Sequence, residues 1–310
     1  MPGQTVALTG ATGFVGGVVL QRLLDHGHQV RALARQPGRL PPHPRLTEIP
    51  GSLESAPALH QLVSGSDLVV HLAAAIAGRS YRDFERANAV GTSRLISIAE
   101  KANPSCRFLL LSSLAARSPQ LSHYARSKRA AERVVESSAL DWLILRPPAV
   151  YGPSDPALAP LWRALAGGWL LRAAPPEARF SLLHVDDLAD AIVQAIARSR
   201  LGPGLCCVHD GRAGGYAWTD LADIAAAASG RAVRIVPLPR TALGLAARLN
   251  LATSYLLGRQ PLLSPGKVRE LTHRDWVCGD NLDSLIPGWQ PRRQLETALA
   301  ELPGWRLRSK

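Results

Sequence analysis

The stretch Thr9-Gly10-Ala11-Thr12-Gly13-Phe14-Val15-Gly16 constrains the fold of this chain more than any other. Val6-Ala7-Leu8 precede it, a short apolar run of the kind that forms a strand buried on both faces. Val18-Val19-Leu20 and Leu23-Leu24 follow it, with apolar residues at helical spacing. The glycines therefore sit on a strand-to-helix turn. Such a turn presents unpaired backbone N–H groups at the positive end of a helix dipole and lets an anion approach bare backbone. A dinucleotide pyrophosphate suits that geometry. The spacing is G-x-x-G-x-x-G rather than G-x-G-x-x-G. A tight turn without a ligand is the plain alternative, and the strand–turn–helix context favours the phosphate.

Strands and helices alternate through the first half. A helix over 16–26, closed by Gly27, leads to a strand at Val30–Ala34. A proline-rich loop, a strand at Leu46–Ile49 and a helix over 56–64 follow. The strand Asp67–Leu72 is expected to continue through Ala73, Ala74 and Ala75. A long helix over 82–102 precedes a strand at 107–113, a helix opened by Tyr124 and running to about Ser138, and a strand at 142–146. Pro147-Pro148 ends that strand, and Tyr151-Gly152-Pro153 reads as a turn. This alternation specifies an α/β fold, a Rossmann-type doubly wound parallel sheet covered on both faces. Right-handed crossovers bring every strand's C-terminal end to one edge. The glycine turn, Arg35, Ala73–Ala75, Ser112-Ser113 and Pro147–Val150 all fall on that edge, where open sheets bind ligands.

After residue 153 the pattern loosens. Helices are expected over 156–168, 186–198 and 240–257, and strands at 179–185, 206–209 and 233–238. Thr219 reads as the N-cap of a helix through Ala228. No period is visible from Pro261 until a helix at about 294–301. The expected organisation is a cofactor domain over 1–153, with 184–210 adding to it, and an interleaved, smaller substrate lobe over 154–310. The helix at 240–257 reads as a lobe-packing helix, with an apolar ligand or a membrane surface as alternative occupants.

Composition narrows the function classes. Hydrophobic residues make up 46% of the chain, enough for a folded core, and aromatics only 5%, which suits helices on a sheet. The formal net charge is +12, but the arginines are dispersed and form no basic block, so nucleic-acid binding is not expected. A phosphate-bearing ligand would use such charge locally. Cys106, Cys206, Cys207 and Cys278 fit no C-x-x-C metal spacing; no metal is expected, and a reducing compartment is. The glycine turn begins too early for a signal peptide to precede it, and no apolar run is long enough to span a bilayer. A cytoplasmic protein is expected, a monomer or homodimer, with peripheral membrane contact as a lesser option.

Two segments carry the chemistry. In a site for NAD, an Asp or Glu about 20 residues beyond the glycines binds the ribose hydroxyls. Here Ala34 and Arg35 hold that position. A carboxylate would repel a 2′-phosphate and a guanidinium would clamp it, so NADP is favoured over NAD. Tyr124 and Lys128 are one helical turn apart and face the same way. An ammonium beside a phenol favours the phenolate and makes it a usable acid–base. With a serine to hold a carbonyl oxygen, this set polarises a carbonyl for hydride transfer from a nicotinamide, and Tyr124 delivers the proton. His71, inside an apolar strand, reads as a hydrogen-bonded core histidine. Asn88, near the middle of a helix, predicts a local kink or a side-chain partner.

These residues together resemble the short-chain dehydrogenase/reductase superfamily, in its extended, epimerase/dehydratase-like branch. TGATGFVG at 9–16 is similar to that branch's cofactor turn, and Leu72-Ala73-Ala74 to its fourth-strand motif. Asn88 with Gly91-Thr92, Ser112-Ser113 with Tyr124 and Lys128, Arg146-Pro147 through Tyr151-Gly152-Pro153, and His184-Val185-Asp186-Asp187 resemble further motifs in order. Ile286-Pro287-Gly288-Trp289-Gln290-Pro291 resembles the branch's C-terminal ending. The resemblance implies that Gly10, Thr12, Gly13, Phe14, Val15 and Gly16 hold the pyrophosphate and Arg35 the 2′-phosphate. It implies that Ser52, Leu53, Ala73, Ala74, Ala75, Pro147 and Val150 line the cofactor. Ser113, Tyr124 and Lys128 would be catalytic, Tyr124 and Lys128 also meeting the ribose. Ser113 is preferred to Ser112 because the family serine usually ends the pair.

Three departures bear on the substrate. Ser52 replaces an Asp that many relatives place near the adenine. The loop from Ser113 to Tyr124 is short, and Ala149 replaces a sugar-contacting Asn. The chain is closer in pattern to dihydroflavonol-reductase-like and hydroxysteroid-dehydrogenase-like members. The leading expectation is an NADP-dependent oxidoreductase interconverting a carbonyl and a secondary alcohol on a small apolar molecule. An NAD-dependent nucleotide-sugar epimerase or dehydratase, and a non-catalytic nucleotide-binding scaffold such as a respiratory-complex subunit, are the alternatives.

Overall fold

A computed structural model describes residues 3–261, 263–279 and 285–305. The chain divides into two compact units. One comprises Met1–Pro147, Ala189–Cys207 and Asp280–Trp289, the other Pro148–Leu188, Val208–Gly279 and Gln290–Lys310.

In the first unit, β1 (Thr5–Thr9) leads through α1 (Phe14–Asp25) to β2 (Gln29–Ala34) and β3 (Leu46–Pro50). Then come α2 (Ala56–Val63), β4 (Leu68–His71), α3 (Tyr81–Glu85), a π turn at Arg86–Val90 and α4 (Gly91–Ala102). β5 (Arg107–Leu111), a 3₁₀ turn at Leu114–Arg117, α5 (His123–Glu136) and β6 (Asp141–Arg146) complete the run. A later strand, Gly204–Cys207, joins the far edge. The seven strands lie in the order Gly204–Cys207, β6, β5, β4, β1, β2, β3, and every pairing is parallel. This is the doubly wound order, with β1 and β4 at the switch point. β4 and β5 are buried along their whole length, as central parallel strands must be. Leu59 and Leu62 of α2, Leu95 of α4, Val69, Phe108 and Ile144 form one core on a face of the sheet.

Helix starts follow side-chain chemistry. The Ser55 and Ser122 hydroxyls accept from the third residue on, Ala58 and Ala125, and cap α2 and α5. Ser80 and Asp83 form a capping box ahead of α3. Two expectations are corrected here. β4 stops at His71, and Ala73–Ala75 are not strand, because Asn88 takes the Ala75 backbone groups that a ladder would use. The helix expected over 82–102 is three segments, and the break is the π turn centred on Asn88.

Among the described residues the second unit holds three small sheets. Ala149–Tyr151 pairs with Leu182–His184, and Trp169–Arg172 with Arg234–Pro237. Tyr216–Ala217, Arg179–Phe180 and Asp275–Trp276 form the third. Its core gathers Tyr151, Trp162, Leu170, Tyr216, Leu295 and Leu299. Tyr151 ends a strand instead of opening a turn. The strand expected at 179–185 splits at Ser181, whose N–H donates to the Trp276 carbonyl and whose Oγ accepts from the Cys278 N–H. Thr219 is not the cap: the helix begins at Trp218 with Ala217 before it, and the Asp220 carboxylate accepts the Ala217 N–H. A helix over Pro265–Leu271 escaped the sequence reading. The helix Arg240–Leu256 buries only Ala247 and Ser254, so packing within the unit accounts for one narrow face alone. Among the described residues no helix is long and apolar enough to cross a membrane.

Candidate active site

The turn after β1 is built around two positions that admit no side chain. Gly10 adopts φ +81°, and a Cβ there would lie 2.7 Å from the Ala73 nitrogen. A Cβ on Gly16 would lie 1.9 Å from the Gly10 carbonyl oxygen. Gly13 caps α1 without a side chain, and the helix carries no acidic residue in its first turn. Thr12 and Gly13 are exposed, and Phe14 and Val15 half-buried. The outer face of the turn therefore offers helix N–H groups and a positive dipole end to an anion, which fits the pyrophosphate of a dinucleotide. On the same sheet edge, Arg35 is exposed directly after β2, and Arg39 is exposed four residues on. The Ser52 hydroxyl accepts from the Glu54 N–H. Leu53 turns partly into the core, where its side chain fills the space that a Cβ on Gly91 would need.

A chain of hydrogen bonds runs beneath this edge. The Thr9 hydroxyl accepts from the Ala73 N–H and donates to His71 Nδ1 at 2.6 Å. His71 Nε2–H donates to Thr92 Oγ1 at 2.9 Å, and Thr92 donates to the Asn88 carbonyl. This partner set assigns the tautomer. Asn88 Oδ1 accepts the Ala75 N–H at 2.7 Å, and Nδ2 donates to the Ala75 carbonyl and to Ser127 Oγ. Ser127 donates to the Tyr124 carbonyl at 2.8 Å. The loop after β4 and the start of α5 are thus tied through one asparagine. Position 88 stands out in the sequence as a poor helix former; Ser127 carries no such signal.

His71 is a satisfied core histidine. Burial, with the nearby Lys128 charge, holds its pKa down at about 3. The unfolded chain takes up that proton near pH 6.5 and the folded chain refuses it until about 3. Stability is therefore lost as pH falls through this window. At two pH units below 6.5 the loss is about 3 kcal/mol. Urea unfolding at neutral pH and at that lower pH should show it in the wild type and not in His71→Gln.

The two serines after β5 differ in surroundings. Ser112 is buried and donates to Glu132 Oε1 at 2.5 Å. Arg146 grips the same carboxylate with Nε at 2.7 Å and Nη2 at 2.6 Å. Burial pushes the Glu132 carboxyl up, but the Arg146 guanidinium and the Ser112 hydroxyl more than offset it, and the group stays below the usual carboxylate range. Ser112 is thereby committed to a buried ion pair. Ser113 is half-buried and precedes the 3₁₀ turn, its hydroxyl accepting from the Ala115 N–H at 3.2 Å. That turn packs on α5, and its Leu114 N–H donates to the Pro147 carbonyl. Tyr124 is half-buried, with its ring edge-on to Phe84 at 6.2 Å. Lys128, one turn on, is buried, and its Nζ donates to the Leu111 carbonyl at 2.7 Å. Burial brings its pKa down to about 8, against the pull of Glu132. Ser113, Tyr124, Lys128, Pro147 and the cofactor-edge residues all belong to the first unit. Val150 belongs to the second, on its own strand.

A parallel sheet in doubly wound order, with a side-chain-free turn at the end of its first strand, is the architecture of a dinucleotide-binding domain, and the chain's relatives place it among NAD(P)-dependent enzymes of the short-chain dehydrogenase/reductase type. The chain belongs to the NAD(P)H-binding family, whose model matches residues 10–167. It is 37% identical over 277 residues to a ceramide reductase of Caulobacter vibrioides, covering 88% of this chain and 85% of that one. It is 29% identical over 243 residues to a 3 beta-hydroxysteroid dehydrogenase/Delta 5-->4-isomerase of Mycobacterium tuberculosis, covering 69% and 63%. The solved structure of MoeE5 in complex with UDP-glucuronic acid and NAD matches with TM-score 0.73 over 98% of both chains, at 22% identity. That last likeness speaks to the fold.

Proposed function

We propose that the protein is an NADPH-dependent reductase that interconverts a ketone and a secondary alcohol on a lipid-like substrate. The observation that carries this reading is the placing of Tyr124 and buried Lys128 one turn apart on α5, against the turn that Ser113 opens. The ceramide reductase relative supports an apolar, long-chain substrate. The exposed Arg35, with no carboxylate at the end of β2, supports the 2′-phosphate.

When bound, the cofactor supplies the hydride that reaches the carbonyl carbon. Ser113 holds the carbonyl oxygen through its hydroxyl. Tyr124 gives its phenolic proton to that oxygen as negative charge develops there. Lys128 stands on the same face of α5 and lowers the cost of the phenolate that remains. Its ammonium is held by the Leu111 carbonyl, and with a pKa of about 8 it loses its charge as pH rises further. Ketone reduction should therefore decline above about pH 8, and initial rates across pH at saturating NADPH would show the decline.

Nicotinamide fluorescence titration tests the cofactor. The wild type should bind NADPH more tightly than NADH. Arg35→Ala should weaken NADPH about tenfold, the loss of one charge-assisted clamp, and leave NADH unchanged. Equal binding of both cofactors would sink the 2′-phosphate reading. Oxidation of NADPH by long-chain ketones, and none by nucleotide sugars, is the expected substrate result.

A further inference from the structure

We infer that the helix Arg240–Leu256 seats this protein on the surface of an anionic lipid bilayer. Leu245, Leu249 and Leu256 are 61%, 59% and 84% exposed. At 100° per residue they share one stripe of the helix, and the buried Ala247 and Ser254 lie on the opposite side. The helix thus packs by one face and presents leucines on the other. Tyr255 and Leu257 are also exposed and lie to either side of the stripe at the helix's C-terminal end. Exposed leucines scattered singly need no explanation; several on one helix face mark a contact surface.

Charge selects the occupant. Between Asp223 and Glu270 the chain carries no acidic residue, in a protein whose formal charge is +12. Arg240 at the start of the helix, Arg248 in its middle and Arg259 three residues beyond its end are exposed. Leucines flanked by arginines with no acidic neighbour in sequence suit the acyl–headgroup boundary of a bilayer bearing anionic lipid. A second copy of this chain would bring its own arginines against these. The helix has 17 residues and does not qualify as a membrane span, so it lies along the surface. The inference is independent of the catalytic reading, because its readout is lipid binding by protein without cofactor or substrate.

Vesicle flotation tests it, with phosphatidylcholine alone and with phosphatidylcholine mixed with phosphatidylglycerol. The full chain should float with the mixed vesicles, at least about tenfold more than with phosphatidylcholine, and high salt should reduce the binding. Leu245→Ser/Leu249→Ser/Leu256→Ser should lose flotation at both salt concentrations. Arg240→Gln/Arg248→Gln/Arg259→Gln should lose its preference for the anionic vesicles. Circular-dichroism melting and NADPH titration should match the wild type in both variants, since every substituted side chain is exposed. Flotation that survives the leucine substitutions would overturn the inference. So would a dimer in light scattering that those substitutions dissolve, which would assign the stripe to a second copy.

Discussion

Tyr124→Phe is expected to lower kcat for ketone reduction by about 10²–10⁴-fold, the range that removal of a positioned acid–base group costs. The substitution deletes one hydroxyl and keeps the ring. The edge contact with Phe84 survives, and so does the bond from Ser127, which goes to the Tyr124 backbone carbonyl. The helical geometry of α5 should match the wild type. NADPH affinity should fall far less than kcat, because the glycine turn, Arg35 and Lys128 are untouched and a single expected ribose contact is lost. Single-turnover rates with saturating NADPH separate loss of chemistry from loss of binding. A variant that retains wild-type kcat would remove Tyr124 from the mechanism. The companion Ser112→Ala and Ser113→Ala variants should part in kind. Ser113→Ala should lose rate, with no more than the modest stability loss of its cap on the Ala115 N–H. Ser112→Ala should lose stability, since it strips one partner from the buried Glu132–Arg146 pair.

Gly16→Ala is the second large effect, and its cause is steric. The added methyl would lie 1.9 Å from the Gly10 carbonyl oxygen and 2.6 Å from its carbon. Both atoms are backbone, so no side chain can swing away, and the turn or α1 must shift. Overpacking of this kind costs about 1–3 kcal/mol, with more where backbone has to move. The displaced turn no longer aims its N–H groups at the pyrophosphate, and NADPH affinity should fall about 100-fold. Gly17→Ala is the control one residue along the same helix. Its methyl would meet nothing closer than the Ala11 oxygen at 3.8 Å. Alanine favours a helix interior over glycine by about 0.5–1 kcal/mol, so this variant should melt no lower than wild type. Equal loss of cofactor binding in both variants would refute the steric account.

The central sheet was legible because its strands are short apolar runs bounded by glycine, proline and serine, and because each crossover carries a helical period. The details that escaped all depend on distant partners. The end of β4 depends on Asn88, which captures Ala75 from 13 residues away, so three alanines that read as strand become a hydrogen-bonded loop. The break in the helix over 82–102 was visible as an odd asparagine, but its π geometry was not. Thr219 looks like a cap in isolation, yet Asp220 holds the Ala217 N–H and starts the helix earlier. In the second unit, strands of two to four residues are too short for a period to show, and sheet membership is set by neighbours far away in sequence. Within the candidate site, adjacent serines look alike in the sequence. The difference between Ser112 and Ser113 comes from Glu132 and Arg146, which reach the first of them only in the folded chain.

The division of the chain has a consequence for its synthesis. The first unit is not finished when residue 147 leaves the ribosome, because it still needs Ala189–Cys207 and Asp280–Trp289. Until Gly204–Cys207 emerges, β6 is an open edge, with the Leu143–Arg146 backbone that this strand will pair still unmatched. Six strands of a parallel sheet would wait there for about 60 residues of translation, or several seconds at cellular rates. Unpaired parallel edges of this kind recruit other chains. A stop codon just after residue 150 should yield aggregate rather than a free-standing cofactor domain.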